Sequence, residues 1–219
     1  MLIGLCAQKQ NGKDTMADYL CHKYKFIKLS FASPLKDACK ILFGFTEAQV
    51  NGSEKEIIDE KWGVSPRTVL QFVGTDLFRD QMKTIIPGIG DNFWALCLKN
   101  SIDKIVKSTP DARIVISDVR FPNEVKMIQQ LGGLIVKITR SSSIRQSSEP
   151  AVESKSSLER KIDDIKGNSS IENNTTRQHV SEKMIDTIKG DVLIENNGTI
   201  LQFYEKIDKY MDQFISVHA

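Results

Sequence analysis

A short apolar run followed by a polar loop ending in Gly-Lys constrains this chain more than any other feature. Leu2 to Cys6 shows no polar alternation, which suits a strand covered on both faces, as in a parallel sheet. The loop Ala7-Gln8-Lys9-Gln10-Asn11-Gly12-Lys13-Asp14-Thr15 follows directly, and Met16, Leu20 and Tyr24 then mark one face of a helix. A strand, a tight polar loop and a helix in that order make a cradle for phosphate: backbone N–H groups wrap the anion and the helix N-terminus faces it. The consensus for such a loop is GxxxxGK[ST]. Here Ala7 stands at the first glycine and Asp14 where a hydroxyl belongs. Gly12 allows close backbone approach, and Lys13 is placed to reach transferring phosphates. Lys9 and Asn11 lie within the cradle. Asp14 is expected to face a magnesium ion or one of its waters, or to cap the helix start. Thr15 offers a hydroxyl to the metal or to an α-phosphate.

The rest of the chain alternates apolar strands with helices. Strands are expected over Phe26 to Ala32, Ala112 to Val119, Leu134 to Arg140 and Asp191 to Glu195. Ser33-Pro34 reads as N-cap plus first helical residue, with Leu35, Ala38, Ile41 and Leu42 as the buried face. Residues 46 to 64 are polar and weakly patterned. Ser65-Pro66 repeats the helix-start signal before Val69, Leu70 and Val73. Asp91 is expected to cap a helix whose apolar stripe is Trp94, Ala95, Leu98, Ile102 and Ile105. Asn123 to Leu131 is helical, stopped by Gly132-Gly133. Thr199 to Ser216 closes the chain, with Leu201, Tyr204, Ile207 and Met211 inward. This alternation predicts an α/β domain around a parallel sheet, whose ligands bind at the carboxyl ends of the strands. At 219 residues, one domain over 1–219 is expected, with a helical acceptor region at 33–110. Residues 141 to 181 hold eleven serines and few large apolar residues. They read as a flexible insertion or a mobile lid, in which Leu158, Ile162 and Ile165 keep helical spacing.

Bulk properties exclude several classes. Thirty basic against 28 acidic residues give a net charge of +2, which is no footprint for a nucleic-acid polymer. No apolar run approaches the ~18 residues of a membrane span, and the N-terminus lacks a leader pattern. Cys6, Cys21, Cys39 and Cys97 form neither a CxxC pair nor part of a zinc cluster. They read as free, mostly buried thiols of a cytoplasmic protein, in the host cytoplasm if the chain is viral.

Cations then gather where strands end. Arg67, Gln71 and Arg79 follow one slowly drifting helical stripe, and Gly74-Thr75 within it argues against a plain surface helix, because glycine is costly there unless backbone must approach something closely. Ser117-Asp118-Val119-Arg120-Phe121-Pro122-Asn123-Glu124 leaves the carboxyl end of a strand. Asp118 there would hold magnesium or its water, or else cap the strand end. Arg140 ends the next strand and could reach a donor nucleotide or the transferring group. Arg145, Arg160 and Arg177 are unranked lid candidates, Trp94 is either core or binding platform, and His179 has no assigned chemistry. Two phosphates brought together repel by about 4 kcal/mol per unit charge pair at 4 Å and an effective dielectric near 20. Guanidinium contacts of roughly 1.5–3 kcal/mol each can offset that. Such a site fits transfer from ATP to a phosphate acceptor.

Taken in order, Gly12-Lys13-Asp14-Thr15, Ser65-Pro66-Arg67, Leu70-Gln71, Gly74-Thr75, Arg79, Trp94 and Asp118 to Glu124 resemble the deoxynucleoside monophosphate kinases of bacteriophages and large DNA viruses. His179 to Glu182 and Ile194 to Thr199 extend the likeness over most of the chain outside the Ser/Asn-rich stretch. The resemblance implies a P-loop NTPase kinase fold with a five-stranded parallel sheet flanked by helices and a lid insertion. It implies ATP and Mg2+ as co-substrates, a deoxynucleoside monophosphate as acceptor (often of guanine or thymine), and a homodimer. By likeness, Lys36, Arg67, Gly74, Thr75, Arg79, Trp94, Asp118, Arg120 and Glu124 line the acceptor site, and Gly-Lys-Asp-Thr is the usual loop ending. The alternatives are another small P-loop kinase, acting on dephospho-coenzyme A or a nucleoside, or a nucleotide-binding module without turnover.

Overall fold

The computed structural model describes residues 1–141 and 184–218. Five parallel strands form one sheet in the order β2-β3-β1-β4-β5: β1 Leu2–Ala7, β2 Ile27–Leu29, β3 Ile114–Val119, β4 Leu134–Thr139 and β5 Val192–Glu195. β1 sits centrally with both edges paired and every residue buried. Its apolar residues therefore need no alternation. Leu2 and Cys6 pack on one face with Ile114, Ile116 and Ile135, against α6 (Phe93–Ser108) and α7 (Pro122–Gln130). Ile3, Leu5 and Ala7 pack on the other with Val115, Val136 and Ile138, against α1 (Lys13–Tyr24) and the terminal helix α8 (Ile200–His218). Gly4 has no room for a side chain: a Cβ there would lie 2.7 Å from Ile128 Cδ1, so α7 sits tight on β1.

β1 is also where the strand order reverses. Its neighbours β3 and β4 run off to opposite sides, so the loop after β1 opens into the crevice at the switch point. That topology, rather than any one residue, brings the Gly-Lys loop to the sheet's carboxyl edge. Between β2 and β3 lie α2 (Ser33–Phe43), α3 (Glu47–Asn51), a 3₁₀ turn Ser53–Glu56, α4 (Pro66–Gln71), a π-helical segment Phe72–Gln81, α5 (Met82–Ile85) and α6. α2, α3, α4 and the π segment share a small core of Cys39, Phe45, Val50, Val69, Leu70 and Val73.

Several local expectations are corrected. β2 is three residues rather than seven, because the N–H groups of Phe31 and Ala32 leave the ladder and donate to the Asp118 carboxylate at 2.8 and 3.2 Å. α2 turns Leu35, Cys39 and Phe43 to the helical core and leaves Ile41 and Leu42 exposed. Leu201 is likewise exposed, and Phe203 takes its place beside Ile207 and Met211. Asp91 caps nothing; it pairs with Lys83 at 2.9 Å, and α6 starts after Asn92 without a side-chain cap. The weakly patterned stretch 46–64 contains a capping box at Thr46 and Gln49 that starts α3. The T-x-x-Q signature was visible there. The stretch expected to be a lid lies, apart from Ser141, outside the described residues, as do Arg145, Arg160, Arg177 and His179. Among the described residues no helix is long and apolar enough to cross a membrane. All four cysteines are free, Cys6 and Cys39 buried and the other two half-buried.

Candidate active site

The loop after β1 turns sharply, with Gln10 at φ 66° and Gly12 at φ 98°. Only glycine holds the second value without strain. A Cβ on Gly12 would also lie 2.5 Å from Asn196 Nδ2. Gly12→Ala is accordingly expected to cost about 1–3 kcal/mol of stability, read by urea unfolding. An unchanged unfolding midpoint would contradict this reading of the loop.

α1 starts at Lys13 directly after Gly12, and no side chain caps it. The cap expected of Asp14 is therefore absent. Its carboxylate instead accepts both contacts of the Lys13 ammonium, at 2.9 and 2.8 Å. Asn11 is buried, and its Nδ2–H donates inward to the Ile138 carbonyl at 3.2 Å. Its side chain therefore braces the loop from below and, against expectation, does not line the cavity above it. Asn196, which sequence reasoning left unassigned, braces the same loop by donating to the Asn11 carbonyl at 3.0 Å. Its signal was a polar Asn-Asn-Gly run just past the carboxyl end of the last strand.

Above this loop lies a cavity of about 600 Å3 lined by Lys9, Gly12, Lys13, Asp14, Thr15, Arg140 and Asn196, among others. A second cavity, of about 970 Å3, opens toward the helices between β2 and β3. Lys36, Arg67, Gln71, Gly74, Thr75, Arg79, Trp94, Asp118, Arg120 and Glu124 all line it. Lys13, Asp14, Arg67 and Arg120 belong to both cavities. The two hollows therefore meet at two arginines and the loop's Lys-Asp pair.

The local structure explains how these groups converge. Ser65 caps α4 by accepting the Thr68 N–H, which sets Arg67 one residue past the Pro66 start. The helix then widens into the π segment that carries Gly74, Thr75 and Arg79. Such widening is frequent at functional sites, and no simple spacing rule announces it. A Cβ on Gly74 would lie 2.7 Å from Leu35 Cδ2, so the segment lies close against α2. The Gly74 carbonyl accepts the Trp94 indole N–H at 2.8 Å. Trp94 is thus both buried core and cavity wall. The Arg79 guanidinium carbon sits 4.9 Å from the Phe121 ring centroid, and its buried Nε has no hydrogen-bond partner among the described residues.

Asp118 and Glu124 differ from expectation in what they touch. Asp118 holds the backbone of Phe31 and Ala32 and so anchors the entry to α2. Burial raises its pKa, against the lowering effect of those two N–H contacts. Glu124 is buried, and its Oε2 accepts the N–H groups of Arg120 and Phe121 at 2.7 and 3.1 Å. It therefore fixes the turn that presents Arg120. Burial pushes the Glu124 pKa up to about 7 from 4.5, with Asp118 adding to the rise and the two N–H contacts opposing it. The folded chain thus keeps a proton that the unfolded chain releases near pH 4.5. The stability tied to this group is complete below pH 4.5 and is lost as pH rises through 7, by up to roughly 3 kcal/mol. Glu124→Gln keeps an acceptor oxygen and removes the titration. Its unfolding free energy relative to the parent is expected to improve steadily from pH 4.5 to 7.5 in a urea series. A pH-independent difference would contradict this assignment.

A magnesium site is consistent with the residues present. Among the described residues no cluster of three or more His, Cys, Asp or Glu forms a cage. Mg2+ seldom needs one: it is commonly held by one or two protein oxygens plus substrate phosphates and water. Asp14, whose side chain is 66% exposed, and Thr15 supply such oxygens beside the loop.

No protein-family model matches the chain. A protein of Acanthamoeba polyphaga mimivirus, named "Putative deoxynucleotide monophosphate kinase", is 45% identical over 143 residues, which is 64% of this chain and 74% of that protein. The deoxynucleoside-5'-monophosphate kinase of Escherichia phage T5 is 38% identical over 71 residues, 32% of this chain and 24% of its own length. The aligned part thus spans about a quarter of the phage protein. Among solved structures, dephospho-CoA kinase from Campylobacter jejuni aligns over 97% of this chain and 96% of its own at 14% identity and a TM-score of 0.44. Shikimate kinase from Aquifex aeolicus aligns over 97% and 96% at 11% identity and a TM-score of 0.46. The assignment of family rests on the sequence relatives and not on these two. The chain belongs to the deoxynucleoside monophosphate kinase family of phosphotransferases.

Proposed function

We propose that this chain transfers the γ-phosphoryl group of ATP to the phosphate of a deoxynucleoside monophosphate, with dGMP and dTMP as leading acceptors. One observation carries the proposal: the loop cavity and the helical cavity share Lys13, Asp14, Arg67 and Arg120. A donor triphosphate in the first and a monophosphate in the second would meet between those groups.

In this reading the loop amides and the uncapped start of α1 hold the donor's phosphates. Lys13 moves from the Asp14 carboxylate to the transferring group, where it stabilises charge that builds during transfer. Bound Mg2+ would neutralise phosphate charge, held by Asp14 and Thr15. Arg67, Arg79 and Arg120 hold the acceptor phosphate, while Gln71, Thr75 and Trp94 bound the space for its nucleoside. No general base is needed, because a phosphate monoester with a second pKa near 6 is already largely dianionic at neutral pH. Glu124 and Asp118 keep the two turns rigid so that the arginines do not drift.

The test is a coupled assay of ADP release from ATP and Mg2+ against the four deoxynucleoside monophosphates, the free deoxynucleosides and dephospho-coenzyme A. Turnover with monophosphates is expected, with little or none for the hydroxyl acceptors. Transfer only to hydroxyl acceptors, or tight ATP binding without any transfer, would overturn the proposal.

A further inference from the structure

Lys55 was not singled out by any motif, yet its side chain lines the helical cavity. It stands on the 3₁₀ turn Ser53–Glu56, half-buried, between α3 and α4. Three other lysines of that wall are matched: Lys13 with Asp14 and Lys28 with Asp18, each at 2.8 Å, and Lys40 with Asp37 and Glu47, at 2.8 and 3.4 Å. Among the described residues no carboxylate lies within 4.0 Å of the Lys55, Lys36 or Arg120 cations. The neighbouring carboxylate of Glu56 is taken by Arg67. Burial, and then the charges of Arg67, Lys36 and Arg120, lower the pKa of Lys55. Four cations from four separate segments thus line one hollow, and among the described residues only Arg67 of the four has a carboxylate within 4.0 Å.

Cations held together in a partly dry space repel one another unless an anion joins them. A phosphate monoester, with charge near −2, suits that need. Lys55 and Lys36 line the helical cavity but not the loop cavity, which assigns the anion to the acceptor and not to the donor. We propose that Lys55 binds the acceptor's phosphate, together with Lys36 and Arg67. The inference rests on the function proposed above and adds a residue to it.

Steady-state kinetics of Lys55→Met and Lys55→Arg test it, with thermal unfolding of each. Lys55→Met is expected to raise the KM for the deoxynucleoside monophosphate about tenfold, as loss of one charge-assisted contact should, with a smaller change in kcat and an unchanged KM for ATP. Lys55→Arg should recover most of the loss. The inhibition constant of the matching deoxynucleoside, which lacks the phosphate, should not move in Lys55→Met. The unfolding midpoint should stay level or rise, because a repelled cation is removed. A monophosphate KM within twofold of the parent's, or an equal shift for monophosphate and deoxynucleoside, would overturn the role of Lys55 while the parent enzyme still turned over. A parent chain inactive on every monophosphate would instead overturn the proposed function, and this inference with it.

Discussion

Lys13→Ala is expected to lower kcat by about 10²–10³ or more while leaving the fold in place, because in the proposed mechanism the lysine acts on charge that develops during transfer. The geometry separates the two effects. The Lys13 ammonium touches only the Asp14 carboxylate among the described contacts, at 2.8 Å, and the Asp14 side chain is 66% exposed. A pair so open to water contributes little to stability. The unfolding midpoint of the variant should therefore match the parent's, and its ATP affinity should fall far less than its turnover. Turnover within a few fold of the parent's would remove Lys13 from the mechanism. A collapsed midpoint would show that the Lys-Asp contact is structural.

Arg120→Ala should produce a loss of similar size by a different route. Arg120 borders both cavities, so its guanidinium can touch acceptor phosphate and transferring group together. Losing one or two charged contacts of roughly 1.5–3 kcal/mol each predicts a fall of about 10²–10³ in kcat/KM for the monophosphate. Glu124 grips the backbone N–H of Arg120 and not its side chain, so truncation leaves the turn intact. The check is kcat/KM measured beside the KM for ATP, which should change much less. Equal losses for both substrates would mean that Arg120 shapes the whole cleft rather than holding one anion.

The sheet was legible in the sequence because a central parallel strand has nowhere to put a polar residue. Leu2 to Ala7 is apolar for that reason, and all six residues are buried. The loop after it was legible because a tight turn into a helix start needs a glycine at positive φ, and Gly12 stands there at φ 98°. The arginines were legible through their placement at strand and helix ends, and they surround one hollow. Helix faces were less readable. α2 packs on other helices rather than on the sheet, so Cys39 turned inward while Ile41 and Leu42 stayed in solvent. Asp118 was legible only as one of two alternatives. A carboxylate at a strand end can serve a metal or a neighbouring loop, and the Phe31 and Ala32 amides show that it does serve the loop. The π segment and Lys55 left no trace in spacing: the first is a choice of hydrogen-bond partner, and the second depends on cations brought near by the fold.

The joining of the two cavities is tested most directly by calorimetry with a bisubstrate compound, an adenosine and a deoxynucleoside linked 5′ to 5′ through a polyphosphate long enough to bridge loop and arginines. One molecule should bind per chain, more tightly than ATP or the monophosphate alone, and saturating amounts of either substrate should displace it. If the monophosphate still bound undiminished to the chain already filled with that compound, the hollows would be separate sites and no phosphoryl group could pass between them.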